Sequence, residues 1–184
     1  MGQPQDTIDL GDLTLRRWVP EHDLDSLVQL IDESIDHLRP WMPWTAEHSR
    51  EATAAYLAHA EESWRAGTGF HYALVAGGRL VGNCSVFIRD PEGGYDPAGR
   101  EIGYWLHPAA TGRGYVTRAT EALAAVGLAQ PGVEYVEICT DSANARSAAV
   151  PQRLGFVEHH RREVEPQTEF ESGVDILWRF TPST

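Results

Sequence analysis

Apolar and polar positions along the chain follow two rhythms. A two-residue period runs through LTLRRW (13–18), FHYALVA (70–76), RLVGNCSVFI (79–88), REIGYWLH (100–107), EYVEIC (134–139), GFVEHHRREVE (155–165) and GVDILWRF (173–180), and predicts about seven strands. A helical period begins near Asp23 and carries Leu24, Leu27, Val28, Ile31 and Ile35 on one stripe until Pro40 stops it, with Pro20 closing the strand before. A second helix is predicted from about Glu47 to Arg65, with Tyr56, Leu57, Ala60 and Trp64 on one side and Gly67 just beyond its end. A third carries Ala119, Ala122, Leu123 and Val126, and a fourth, capped by Asn144, runs to about Arg153.

The punctuation between these runs sets their connectivity. Gly77-Gly78 is a two-residue link suited to a primed hairpin turn, DPEGGYDPAG (90–99) has the composition of a loop, and Pro131-Gly132 ends the third helix. The resulting order, β-α-α-β-β-β-α-β-α-β-β, predicts a single α/β domain over 1–184, with its core at about 11–181. It is a mixed central sheet of about seven strands flanked by about four helices. The strand-helix-strand unit around residues 100–139 is expected to be parallel and right-handed.

Composition narrows the functions such a domain can have. At 184 residues with 42% hydrophobic and 23% charged residues, the chain can bury one core, and no apolar run approaches the ~18 residues of a membrane span. The polar start MGQPQDTIDL argues against a secretory signal, and Cys84 and Cys139 form no C-x-x-C pair, so a cytoplasmic protein without disulfides or a cysteine metal site is expected. Net charge is −12 with scattered arginines, which excludes the basic footprint of nucleic-acid binding and suits amine partners. His159 and His160 are neighbours on a strand and point to opposite faces, so no metal site is expected there.

The segment after the fourth predicted strand departs from ordinary turn chemistry. Thr111-Gly112-Arg113-Gly114-Tyr115-Val116 joins a strand to a helix, where unpaired amides and the helix dipole favour a phosphate and Arg113 adds a charge. Neither a third spaced glycine nor a Gly-Lys-Ser/Thr follows, so dinucleotide and P-loop readings fail. Four stretches, LRPWMPW (38–44), EIGYWLHP (101–108), TGRGYVTRA (111–119) and NARSAAVPQRLGF (144–156), resemble the GNAT superfamily of acyltransferases, and specifically its RimJ/RimL type of ribosomal-protein N-terminal acetyltransferases. The resemblance spans most of the chain. It implies acetyl-CoA as co-substrate, with its pyrophosphate on Thr111, Gly112, Arg113, Gly114, Tyr115, Val116 and Thr117 and its pantetheine beside Trp105, Leu106, His107 and Asn144. Thr111 and Val116 depart from the residues usual in the superfamily. The resemblance leaves a homodimer open.

Acyl transfer to an amine needs a neutral nucleophile, an oxyanion stabiliser and a leaving thiolate. The oxyanion can be met by a backbone amide near Leu106 or His107. By the resemblance, Glu101 aligns with a general base, and Glu163 and Glu165 both fall where RimL-like enzymes place a glutamate; a surface carboxylate or ion pair is the plainer reading of each. The superfamily's leaving-group tyrosine is replaced by Pro151, which donates nothing, so Ser147, matching a serine of RimL-like enzymes, becomes the candidate donor. Trp41 and Trp44 would wall the acceptor or simply pack. The expected activity is acetylation of a protein or peptide α-amine. The alternatives are detoxification or self-immunity on a small amine, and a catalytically silent acyl-CoA-binding module.

Overall fold

The computed structural model describes residues 3–89 and 96–182. Strands β1 (Thr7–Asp9) and β2 (Leu13–Arg17) form an antiparallel edge pair. β1 is absent from the sequence prediction because its three residues are too few to show a period, and it raises the sheet from about seven strands to eight. Helix α1 (Pro20–Leu38) starts earlier than the apolar stripe suggests, because Pro20 occupies its first turn instead of closing a strand. The buried Asp23 carboxylate secures that start by accepting from the Val19 amide at 2.7 Å and from both Arg16 guanidinium nitrogens at 2.7 and 2.6 Å.

A 3-10 turn over Pro43–Glu47 precedes α2 (Arg50–Ala66), so this helix begins later than expected. Its N-cap is Ser49, whose side chain accepts from the Ala52 amide, and it ends at Gly67 in the left-handed conformation. β3 (Gly69–Ala76) and β4 (Arg79–Phe87) form the predicted hairpin, with φ of +56° at Gly77 and +75° at Gly78. Of the expected loop 90–99, the first six positions lie outside the described residues. β5 (Gly99–Leu106), α3 (Tyr115–Leu128), β6 (Tyr135–Asp141), α4 (Ala145–Arg153), β7 (Val157–Glu163) and β8 (Val174–Phe180) complete the chain.

The strands lie in the order β1-β2-β3-β4-β5-β6-β8-β7, antiparallel throughout except for β5 and β6, which run parallel as expected. Apolar layers pack on the sheet. Ile102, Val86, Cys84 and Tyr72 belong to a cluster with Ala119 and Leu123 of α3, whereas Ala73 joins Leu27, Leu30 and Ile31 of α1 and Leu57 of α2. The parallel pair is short: Gly99, Arg100 and Glu101 of β5 meet Tyr135, Val136 and Glu137 of β6, and beyond Glu101 the two strands part. From Ile102 to Leu106, one side of β5 therefore has no strand partner, and a notch opens in the middle of the sheet.

Candidate active site

The phosphate-turn expectation rests on backbone geometry, and the structure supplies it. Gly112 and Gly114 have φ of +76° and +72°, a region that glycine enters without strain, and residues 111–114 are exposed. Gly114 is the N-cap of α3 and provides no side-chain cap, and no acceptor takes the amides of Gly112 through Thr117 among the described residues. These open amides at the positive end of a 14-residue helix fit the pyrophosphate of a CoA thioester. The two unusual residues leave the turn open: the Thr111 hydroxyl donates to the Pro108 carbonyl at 2.8 Å, and Val116 packs half-buried against the core. Thr117 is half-buried, Tyr115 is buried, and the exposed Arg113 guanidinium has no ion pair among the described residues.

The notch opens into a cavity of about 740 Å³ bounded by α1, α2, the 41–48 segment, β3 to β6 and the first turn of α4. Glu101, Trp105, Ser147, Trp41 and Trp44 all line it, so the structure gathers candidates spread between positions 41 and 147 of the chain at one place. The side chain of Glu101 is 19% exposed, and its Oε2 lies 3.1 Å from Arg89 Nε. Burial raises its pKa above the usual carboxylate range; Arg89 and Arg162 oppose the rise, and Glu137 and Asp175 add to it. Glu163, at the end of β7, and Glu165, just beyond, are exposed and do not line the cavity.

Asn144 caps α4 by accepting the Ser147 amide at 3.1 Å. Ser147 is half-buried; its carbonyl accepts the Tyr104 hydroxyl at 3.0 Å, and its own hydroxyl donates to the Tyr104 oxygen at 3.3 Å. Leu106 is buried, and the His107 amide donates to the Val81 carbonyl at 2.8 Å. That bond removes His107 from the two backbone candidates for an oxyanion donor, because its amide is already spent on the sheet. The His107 ring accepts from the Ala109 amide and lies 3.6 Å from Glu33.

At the mouth, Trp44 is 41% exposed and its ring centroid lies 6.2 Å from that of Trp105, so both packing and exposure hold for this residue. Trp41 meets Phe170 at 6.5 Å, and Thr168 donates to the Pro40 carbonyl at 2.6 Å, tying the β7–β8 connection to the mouth. The floor is polar and was not legible in the sequence. Trp18 Nε1 can only donate, so it fixes Oδ1 of Asn83 as its acceptor; Tyr56 donates to the same oxygen, and Asn83 Nδ2 donates to Ser85, which bonds His71 Nδ1 at 2.9 Å. Burial lowers the His71 pKa to about 4, and its Nε2 is buried without a hydrogen-bond partner among the described residues. Cys139 also lines the cavity, its thiol pushed up to about 12 by burial. No group of three His, Cys, Asp or Glu among the described residues could hold a metal ion.

A helix-capped phosphate turn beside a split sheet, with a carboxylate and a hydroxyl facing one cavity, defines an acyltransferase that takes its acyl group from a CoA thioester. A sequence model described as an acetyltransferase (GNAT) domain matches residues 12–157, and the chain belongs to that family. YdaF of Bacillus subtilis (strain 168), a protein named as a candidate ribosomal N-acetyltransferase, is 30% identical over 150 residues, covering 79% of this chain and 78% of that one. Among solved structures, the fold matches RimL, a ribosomal L7/L12 α-N-protein acetyltransferase bound to coenzyme A, with a TM-score of 0.83, 19% identity and coverage of 95% and 97% of the two chains. It also matches the microcin C7 self-immunity acetyltransferase MccE, in complex with acetyl-CoA and AMP, with a TM-score of 0.84, 18% identity and 98% coverage of each. The protein is an acetyl-CoA-dependent N-acetyltransferase.

Proposed function

We propose that the acceptor is the α-amino group of a protein or peptide, and that Glu101 receives its proton while Ser147 serves the departing sulfur. The observation that carries this reading is Glu101, a half-buried carboxylate with a raised pKa lining the cavity beside the notch. An α-amine has a pKa of about 7.7–8.0 and a lysine about 10.4, so deprotonation at pH 7 costs roughly 1–1.4 kcal/mol for the first and roughly 4.6 for the second. A carboxylate, even one with a raised pKa, suits the α-amine far better. The names of YdaF and RimL support the same class of acceptor.

Acetyl-CoA supplies an activated thioester carbon. On the protein side, Glu101 takes the ammonium proton, the neutral nitrogen attacks and a carbon–nitrogen bond forms, the nitrogen releases its second proton to solvent, and the carbon–sulfur bond breaks with the sulfur keeping the electron pair. The Ser147 hydroxyl hydrogen-bonds the thiolate, which takes its proton from solvent. Because a thiol with a pKa near ~8.5 is a fair leaving group, one hydrogen bond is enough. Free Cys84 and Cys139 support a reducing cytoplasmic setting.

A second reading is favoured by the exposed Trp44 against Trp105, which would stack on a planar small amine, as a self-immunity enzyme would require. One assay separates the two. Thiol release from acetyl-CoA is followed between pH 6 and 9 with a lysine-free peptide bearing a free N-terminus, its N-blocked lysine-containing counterpart, and a panel of small aromatic amines. Fastest turnover of the free N-terminus is expected; faster turnover of the blocked peptide overturns the reading, and turnover of the small amines alone supports the second one.

A further inference from the structure

The proline in α4 and the tyrosine in β5 have one explanation. In a regular helix, the Ser147 carbonyl would accept the amide of the residue four positions later, and that residue is Pro151, which has none. The carbonyl is not left bare: the Tyr104 hydroxyl reaches it from β5, across the notch, at 3.0 Å. Tyr104 is half-buried and lines the cavity together with Ser147, and burial drives its pKa well above that of a free phenol. Its oxygen also receives the Ser147 hydroxyl hydrogen at 3.3 Å. With the Ser147 amide on Asn144, every polar atom of this serine is held, two of them by one phenol.

We propose that Tyr104 is a positioning residue for acetyl transfer, aiming the Ser147 hydroxyl at the departing sulfur of CoA; this rests on the role given to Ser147 above. Before transfer, the Ser147 hydrogen is parked on the phenol oxygen, an acceptor that a thiolate outcompetes once negative charge develops. The hydroxyl then turns its hydrogen to the sulfur, and the phenol, a donor with its proton still attached, swings that proton from the Ser147 carbonyl to the Ser147 oxygen. Polarising a donor from behind strengthens the bond it gives. No proton leaves Tyr104, consistent with a phenol held far above neutral pH, and no bond other than those of the transfer itself forms or breaks. Pro151 is part of the device: by withholding an amide, it makes the carbonyl available to the phenol and fixes the phenol beside the hydroxyl.

A staple that merely joins α4 to β5 would make the same contacts, so the test separates stability from turnover. Tyr104→Phe, Ser147→Ala, Pro151→Ala and the pairwise combinations of Tyr104→Phe with the other two are assayed for melting temperature, acetyl-CoA affinity and kcat, with whichever acceptor the preceding assay turns over. Tyr104→Phe is expected to lower kcat roughly tenfold, the scale of one hydrogen bond, with acetyl-CoA affinity within about twofold. The double variant with Ser147→Ala should be no slower than Ser147→Ala alone, since both act on one atom. Pro151→Ala restores an amide to the Ser147 carbonyl; in that background the melting penalty of Tyr104→Phe should shrink while its kcat loss persists. The proposal is overturned by an unchanged kcat in Tyr104→Phe, by losses that multiply in the double variant, or by recovery of kcat with Pro151→Ala. A normal kcat in Ser147→Ala overturns the role of Ser147 itself, whereas a slow Ser147→Ala beside a normal Tyr104→Phe overturns only the role of Tyr104.

Discussion

Glu101 stands under two opposing demands. A base must carry charge, yet burial disfavours that charge and raises its pKa. The folded value lies above the unfolded one, so the stabilisation this carboxyl contributes is complete below its unfolded pKa of about 4.3 and is lost as pH rises through the folded value. Glu101→Gln should therefore melt closer to the wild type at acid pH and gain on it toward neutrality. In turnover the sign reverses. The variant should be slowest relative to wild type near pH 6 and recover above about pH 8, where the α-amine is largely neutral unaided. Melting curves and kcat/KM profiles over the same buffers check both halves; a rate deficit independent of pH would remove Glu101 from proton transfer. In the sequence, Glu101 was legible as a candidate because a motif pointed to it, whereas its burial and the pairing with Arg89 depend on strands brought together by the fold. Tyr104 was not legible in that way: it lies inside the quoted motif, and only the missing amide of Pro151, seen against a phenol from another element, gives it a task.

Among the elements, the phosphate turn and the mouth are the two whose local construction makes separate predictions. Gly114→Val puts a β-branched residue at φ +72° and crowds the open amides, so it should abolish the rise in melting temperature caused by acetyl-CoA. Arg113→Ala should leave the turn intact, weaken binding by about three- to tenfold and flatten its salt dependence, as loss of one charged contact does. Calorimetric titration at two ionic strengths reads this out, and an unaltered salt slope would show that Arg113 points elsewhere. At the mouth, Thr168→Val removes the tie to the Pro40 carbonyl and should raise the acceptor KM by about two- to tenfold with acetyl-CoA affinity unchanged. Equal shifts in both constants would assign Thr168 to general stability. The turn was legible because glycine spacing is a local signal. The tie between Thr168 and Pro40 spans 128 residues and leaves no trace in periodicity, and Glu163 and Glu165, near it in sequence, stay exposed outside the cavity.

Across the whole molecule, the order of elements was readable because each strand and helix carried its own period, and the parallel β5–β6 unit followed from the helix between them. The edge strand β1 and the splitting of the sheet were not, since one is too short for a period and the other depends on where pairing stops. The split has a mechanical consequence. A pull applied at β2 and at β8 must cross the sheet through the three paired positions joining β5 to β6, with α3 behind them, and between those two strands these form the narrowest joint in the load path. Tension between them should part the protein there first, separating a five-stranded leaf from a three-stranded one. A ligand lodged in the notch and held by both leaves acts as a rivet across the seam. Single-molecule pulling should therefore show a higher first rupture force with acetyl-CoA present, and little change in the force that later unravels the β3–β4 hairpin.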